Sequence, residues 1–247
     1  MGNLTFSCRR PKADPVEISR LRTGDVICIR DPQFAHAGAC LSQNLLCWNT
    51  NHVGMVVDPA DLPSESALRT GHPEIRVGRR YLLHTLFTGV KVWDLGQYLQ
   101  RTRRGRCGAR GTMWARQIVT EGRTSDDELR RSLALVVDKT FDEVRDKHYE
   151  DQIFSLLNAY FDSCEAFGNC GKNSGDDSSL FCSELVSMML QQGGVLGTQR
   201  PADEIVPQDF LYSNGKTVEG ASMADGFRLG PVLELEPDDE SDDDTDR

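Results

Sequence analysis

The sequence predicts an α+β fold, a central antiparallel sheet with helices packed on it. Three observations lead there. Short apolar runs bounded by turn residues recur at Val26–Arg30, His52–Val57, 81–87, 90–93 and 112–119. A segment at 125–147 spaces Leu129, Leu133, Val136 and Val137 along one helical face. A second helical segment, 180–192, stops at Gly193-Gly194, residues suited to ending a helix.

Taken in order, residues 1–20 read as an arm. Thr23-Gly24-Asp25 is a turn into the first strand. Residues 31–51, rich in Gly, Ala, Cys and Asn, have no clear period and are expected to form an ordered loop or short helix near the cleft. Asp58-Pro59 ends the His52 strand, and 58–79 is a loop insertion. Thr88-Gly89 turns the 81–87 strand into a hairpin with 90–93. Asp94 caps a short helix through Leu99, and 101–111 is a basic turn region. Ser125 caps the 125–147 helix. Residues 149–167 read as a broken helix, 168–179 as a polar loop, and 201–215 as a surface loop with one turn around Pro207-Gln208-Asp209.

The 247 residues suffice for a full core, and the composition is that of a globular protein. The formal net charge is −10, but 236–247 hold eight acidic residues and one arginine, or −7, leaving about −3 for the rest. No basic stripe marks a nucleic-acid binder. The tail from 234 to 247 reads as a solvated disordered end. No apolar run reaches the ~20 residues of a membrane span. With no signal-peptide pattern, the eight cysteines are expected as thiols in a reducing, cytoplasmic setting. No CxxC pair occurs, so neither metal nor cofactor is expected. Gly2 offers a myristoylation site and Cys8 a palmitoylation site beside Arg9, Arg10 and Lys12, which together would hold a membrane surface. Phe6 occupies the usual Ser/Thr position, and an ordinary frayed terminus is the competing reading.

The chemistry centres on Cys182, in Phe181-Cys182-Ser183-Glu184-Leu185-Val186. With Ser179 as N-cap, Cys182 would be the third helical residue, where open N–H groups favour a thiolate. Leu185, Val186 and Met189 follow at helical spacing, placing Cys182 on the inward face, and its backbone N–H can serve an oxyanion. The bland alternative is a cysteine packed as a small hydrophobe. His52 opens a strand with Val53, Met55 and Val57 at period two and is read as sharing their face. It is either a satisfied core histidine or a base. Gly54 admits a close backbone or a substrate. His84, one strand along, is placed to orient the His52 ring. No role is assigned to the histidines at 36, 72 and 148.

Together, His52-Val53-Gly54, the His84 strand and the Cys182 segment resemble the papain-like NlpC-type superfamily. The order here, histidines before cysteine, is similar to its circularly permuted, YiiX-like branch and more distantly to lecithin retinol acyltransferase. Thr23-Gly24-Asp25-Val26-Ile27 resembles the opening strand of that branch, and Gly89-Val90 also matches. The resemblance implies a papain-like sheet packed on the nucleophile helix over roughly 21–215, followed by an extension at 216–247. It implies Cys182 as nucleophile, His52 as base and His84 as orienting residue, with Tyr149, Gly54 and Ser183 at the substrate. The implied activity is a thiol hydrolase that cleaves a peptide, amide or related acyl bond through an acyl-enzyme. Transfer of a lipid acyl group, or phospholipase action, is one alternative. A non-catalytic peptide- or lipid-binding module is the other. Oligomeric state does not follow from these residues.

Overall fold

The computed structural model describes residues 11–30, 49–86, 89–104, 110–122, 125–145, 181–218 and 221–237. Strands β1 (Asp14–Glu17), β2 (Val26–Arg30), β3 (His52–Val57), β4 (Tyr81–Leu86), β5 (Gly89–Asp94), β6 (Thr112–Thr120) and β9 (Phe227–Glu236) form one sheet, in the order β1-β9-β6-β2-β3-β4-β5. Every neighbouring pair is antiparallel except β1 with β9, which run parallel. Two short strands, β7 (Thr217–Val218) and β8 (Ala221–Ser222), pair separately. The helices are α1 (Ala67–Gly71), α2 (Leu95–Arg104), α3 (Asp126–Val144), α4 (Cys182–Gln192) and α5 (Pro207–Tyr212).

Both faces of the sheet are covered. On one, Val26, Cys28, Val53, Met55, Leu83 and Trp114 meet the apolar stripes of α3 and α4, including Leu133, Val137, Leu185 and Met189. On the other, Ile27, Ile29, Val56, Leu82 and Met113 meet Leu95, Tyr98 and Leu99 of α2. That double burial is why β2 to β4 read as nearly continuous apolar runs. The helix starts follow their caps. Ser125 Oγ accepts from Glu128 N–H at 3.2 Å, and Asp94 Oδ1 accepts from Gln97 N–H at 2.9 Å. Helix α2 runs on to Arg104, past the expected end at Leu99, because Tyr98, Leu99 and Thr102 keep its inner face buried.

The turn into β2 is locked by a buried ion pair. Arg130 Nη1 lies 2.7 Å from Asp25 Oδ1, with the two side chains 4% and 0% exposed. Asp25 also accepts from the backbone N–H of Arg22 and Ile118, while Arg130 donates to the carbonyls of Thr23 and Ile118. Gly24 sits at φ 96°, and a Cβ there would fall 2.4 Å from Leu133 Cδ1, so α3 packs directly on the turn.

Three regions differ from the sequence reading. The arm at 1–20 supplies β1, and the extension beginning at 216 supplies β7, β8 and β9, the last reaching Glu236 inside the expected tail. Leu233 and Leu235 alternate with Glu234 and Glu236 as a half-buried strand, against β6 on one side and β1 on the other. The β6/β9 register shifts between Arg116 and Ile118, opposite Gly230-Pro231, a bulge at which proline is tolerated. The 58–79 insertion likewise contains α1, capped by Ser66. The readings at 31–48, 149–167 and 168–179, and of the tail at 238–247, lie outside the described residues.

Candidate active site

Cys182 is the first residue of α4, not the third. Phe181 is extended, with φ −82° and ψ 158°, and its N–H donates to Glu184 Oε2 at 3.1 Å, so the helix entry closes at Phe181. The Cys182 side chain is 4% exposed and packs with Val53, Leu185 and Val186. Burial pushes its thiol up to about 11, against the backbone N–H groups of Val53, Ser183 and Cys182 itself, which favour the thiolate. Val53 directly follows His52, so α4 brings the sulfur against the β3 backbone one residue from the imidazole-bearing Cα. The thiolate expected from the helix terminus is therefore not the resting form, because desolvation outweighs the helix N–H groups.

His52 and His84 come together. His52 Nε2 lies 2.7 Å from His84 Nδ1, with the rings 66° apart and centroids separated by 5.0 Å. Both side chains are buried, at 2% and 0% exposure. Burial holds both imidazoles neutral. It pushes His52 down to about 3 and His84 well below its ordinary value, with the nearby His52 adding to the latter. The His84 ring also meets Tyr98 edge-on at 5.2 Å.

The face assigned to His52 is corrected. Side chains alternate along a strand, so His52 shares a face with Gly54 and Val56 rather than with Val53, Met55 and Val57. The packing agrees: Val56 and Leu82 join the α2-side cluster with Tyr98, whereas Val53 and Met55 join Cys182 on the α4 side. The hydrogen bonds at the Cys182 sulfur thus come from backbone N–H groups, not from an imidazole.

Gly54 lies where β4 crosses closest to β3. A Cβ there would stand 2.7 Å from Leu82 Cδ1, 2.9 Å from Leu83 O and 3.1 Å from His84 Cβ. The carbonyl cannot yield without moving β4. Gly54→Ala will therefore cost about 1–3 kcal/mol and pull His84 away from His52. Chemical denaturation will read the loss, and imidazole NMR resonances the separation; unchanged values for both would contradict this packing.

Ser183 is buried, and its carbonyl accepts from Ser187 Oγ at 2.8 Å. Tyr149, Gly2 and Cys8 lie outside the described residues. Sequence reasoning missed the residues that pin the entry to β3. Gln208 Oε1 accepts from the N–H groups of Asn49 at 3.2 Å and Thr50 at 3.3 Å. Thr50 Oγ1 donates to the carbonyls of Ile29 and His52, and Asn49 Nδ2 donates to Tyr212 Oη. Arg116 secures α5 in turn, donating to the carbonyls of Phe210, Leu211 and Ser213. Pro207 and Asp209 signal the start of α5, but no sequence spacing connects 208 with 49–50.

Among the described residues, no three His, Cys, Asp or Glu side chains gather as a metal site. No described helix is long and apolar enough to cross a membrane. Comparison with known protein families finds no matching family, and comparison with curated proteins finds no match.

Proposed function

We propose that the chain is a cysteine-dependent hydrolase of amide or related acyl bonds, with Cys182 as nucleophile, His52 as base and His84 orienting the His52 ring. The observation that carries this reading is the convergence on one end of β3: the sulfur meets the Val53 N–H, and the adjoining His52 is bonded to a second imidazole. In the proposed reaction Cys182 Sγ attacks the acyl carbon as its proton passes to His52. The N–H groups of Val53, Cys182 and Ser183 that lie around the sulfur are candidates to steady the oxyanion. His52 then protonates the leaving group, and water releases the acyl-enzyme.

The resting site holds a neutral thiol and neutral imidazoles, so the proton transfer has to be completed in the substrate complex. The two side chains leave opposite faces of β3, so His52 has to reach the sulfur round the start of that strand as substrate binds. One observation favours a second reading, a non-catalytic module: burial holds the thiol protonated, and the groups that favour its thiolate are backbone N–H groups.

Two variants separate these readings. With activated acyl esters and aminoacyl amides as probes, Cys182→Ala and His52→Ala will each lower turnover by more than about a thousandfold while Cys182→Ala keeps its melting temperature. A folded Cys182→Ala protein with full turnover would sink the hydrolase. Replacing water by a lipid acceptor in the same assay tests acyl transfer.

A further inference from the structure

The end of the sheet that holds His52 carries a second feature two strands along, where Met113 and Thr112 of β6 pair with Ile29 and Arg30 of β2. A groove of about 640 Å³ opens between the end of α2, the start of β6 and the end of β9. Arg103, Arg104 and Arg110 line it, facing Glu234 and Leu235. Arg103 Nη2 donates to Leu235 O at 2.6 Å, which fixes the end of β9 against the groove. Arg104 and Arg110 are exposed, and neither takes part in an ion pair or hydrogen bond among the described residues. Among the described residues of the lining, Glu234 supplies the one carboxylate. The groove thus presents two uncommitted guanidiniums, which suit carboxylates by forked hydrogen bonding.

We propose that this groove is the docking site for the chain's own acidic C-terminal segment, 238–247. Two facts select that occupant. The segment carries seven acidic residues and one arginine, a net charge of −6, opposite in sign to the groove. It also begins at the groove: β9 ends at Glu236, directly after the lining residues Glu234 and Leu235. A segment tethered one or two residues from its site is present at millimolar effective concentration, so weak exposed ion pairs suffice to seat it. Seating also relieves the repulsion among seven closely spaced carboxylates. The contact is solvent-exposed and therefore sensitive to salt.

The test uses the full chain and a protease that cuts after acidic residues. At low salt, the wild-type segment 238–247 will be cut at least about tenfold more slowly than the same segment in the Arg104→Glu/Arg110→Glu double variant. The difference will vanish at about 0.5 M salt, where screening acts within roughly 4–5 Å. Thermal melting checks that the variant is folded; should it not be, Arg104→Gln/Arg110→Gln carries the same test with a smaller ratio. Equal cutting rates at low salt would overturn the proposal. So would protection that grows with protein concentration, which would seat the segment on a second copy of the chain.

Discussion

Acidification through the window from pH 6.5 down to about 3 will destabilise the fold steeply, with His52 and His84 as the main cause. In the unfolded chain each imidazole takes a proton near its ordinary value of 6.5. In the folded chain burial keeps His52 neutral until about 3 and His84 neutral well below 6.5. Between these limits the unfolded state binds more protons, so stability is complete above pH 6.5 and falls with pH. His52 removes about 1.4 kcal/mol per pH unit, or about 2 kcal/mol by pH 5, and His84 adds to the loss in the same direction. The His52 contribution alone is a sizeable share of the 5–15 kcal/mol typical of a domain. Denaturant midpoints at pH 7.5, 6 and 5 will show the slope in the wild type. Replacing either histidine by glutamine will make it shallower. A slope that survives in both variants would assign the acid sensitivity to other groups.

Removing the guanidinium beneath the β2 turn will have a comparable effect by a different route. Arg130→Met leaves the Asp25 carboxylate in a site with no exposure and no cation. Breaking one member of a buried pair costs about 3–5 kcal/mol, because the remaining charge has lost its partner. Burial already pushes the Asp25 carboxyl up, with Arg130 and the N–H groups of Arg22 and Ile118 opposing it. Without Arg130 the carboxyl will rise further and take a proton. A raised folded value gives stability that is present at low pH and lost as pH rises. The loss caused by Arg130→Met, measured against the wild type, will accordingly be largest at alkaline pH, the opposite slope to that set by the histidines. Adding Asp25→Asn removes the stranded charge and should recover part of the loss. Denaturation at pH 5 and pH 8 reads all three proteins; a double variant less stable than Arg130→Met at both values would contradict the explanation.

The strands nearest the site were legible to the residue. Val26–Arg30 and His52–Val57 are the observed β2 and β3, and Cys182 does lie on the inward face of its helix. The face of His52 was legible as well, since alternation alone puts position 52 with 54 and 56; what double burial hides is which helix covers that face. When both faces of a strand are covered, Val53, Met55 and Val57 are no more apolar than an interior needs, and alternation no longer tells which side meets which helix. The helix terminus at Cys182 was visible as a stabiliser of the thiolate, but the opposing desolvation depends on how Val53, Leu185 and Val186 close around the sulfur. Strands β1 and β9 were hidden together. Val16 pairs with Leu235, more than two hundred residues away, and the acidic residues of β9 mask two leucines that alternate inward. The role of Gln208 is hidden for the same reason: its contact with Asn49 and Thr50 exists only in three dimensions.

The central claim is that Cys182 forms a covalent acyl intermediate with the help of His52. Its most direct test is to quench the protein within seconds of mixing with an activated acyl ester, then map the acyl group by mass spectrometry. The account predicts an adduct on Cys182 ahead of every other cysteine, formed at least about a hundredfold more slowly in His52→Ala. Acylation of Cys182 no faster than of Cys28, or equally fast without His52, would contradict it and leave the fold as a binding module.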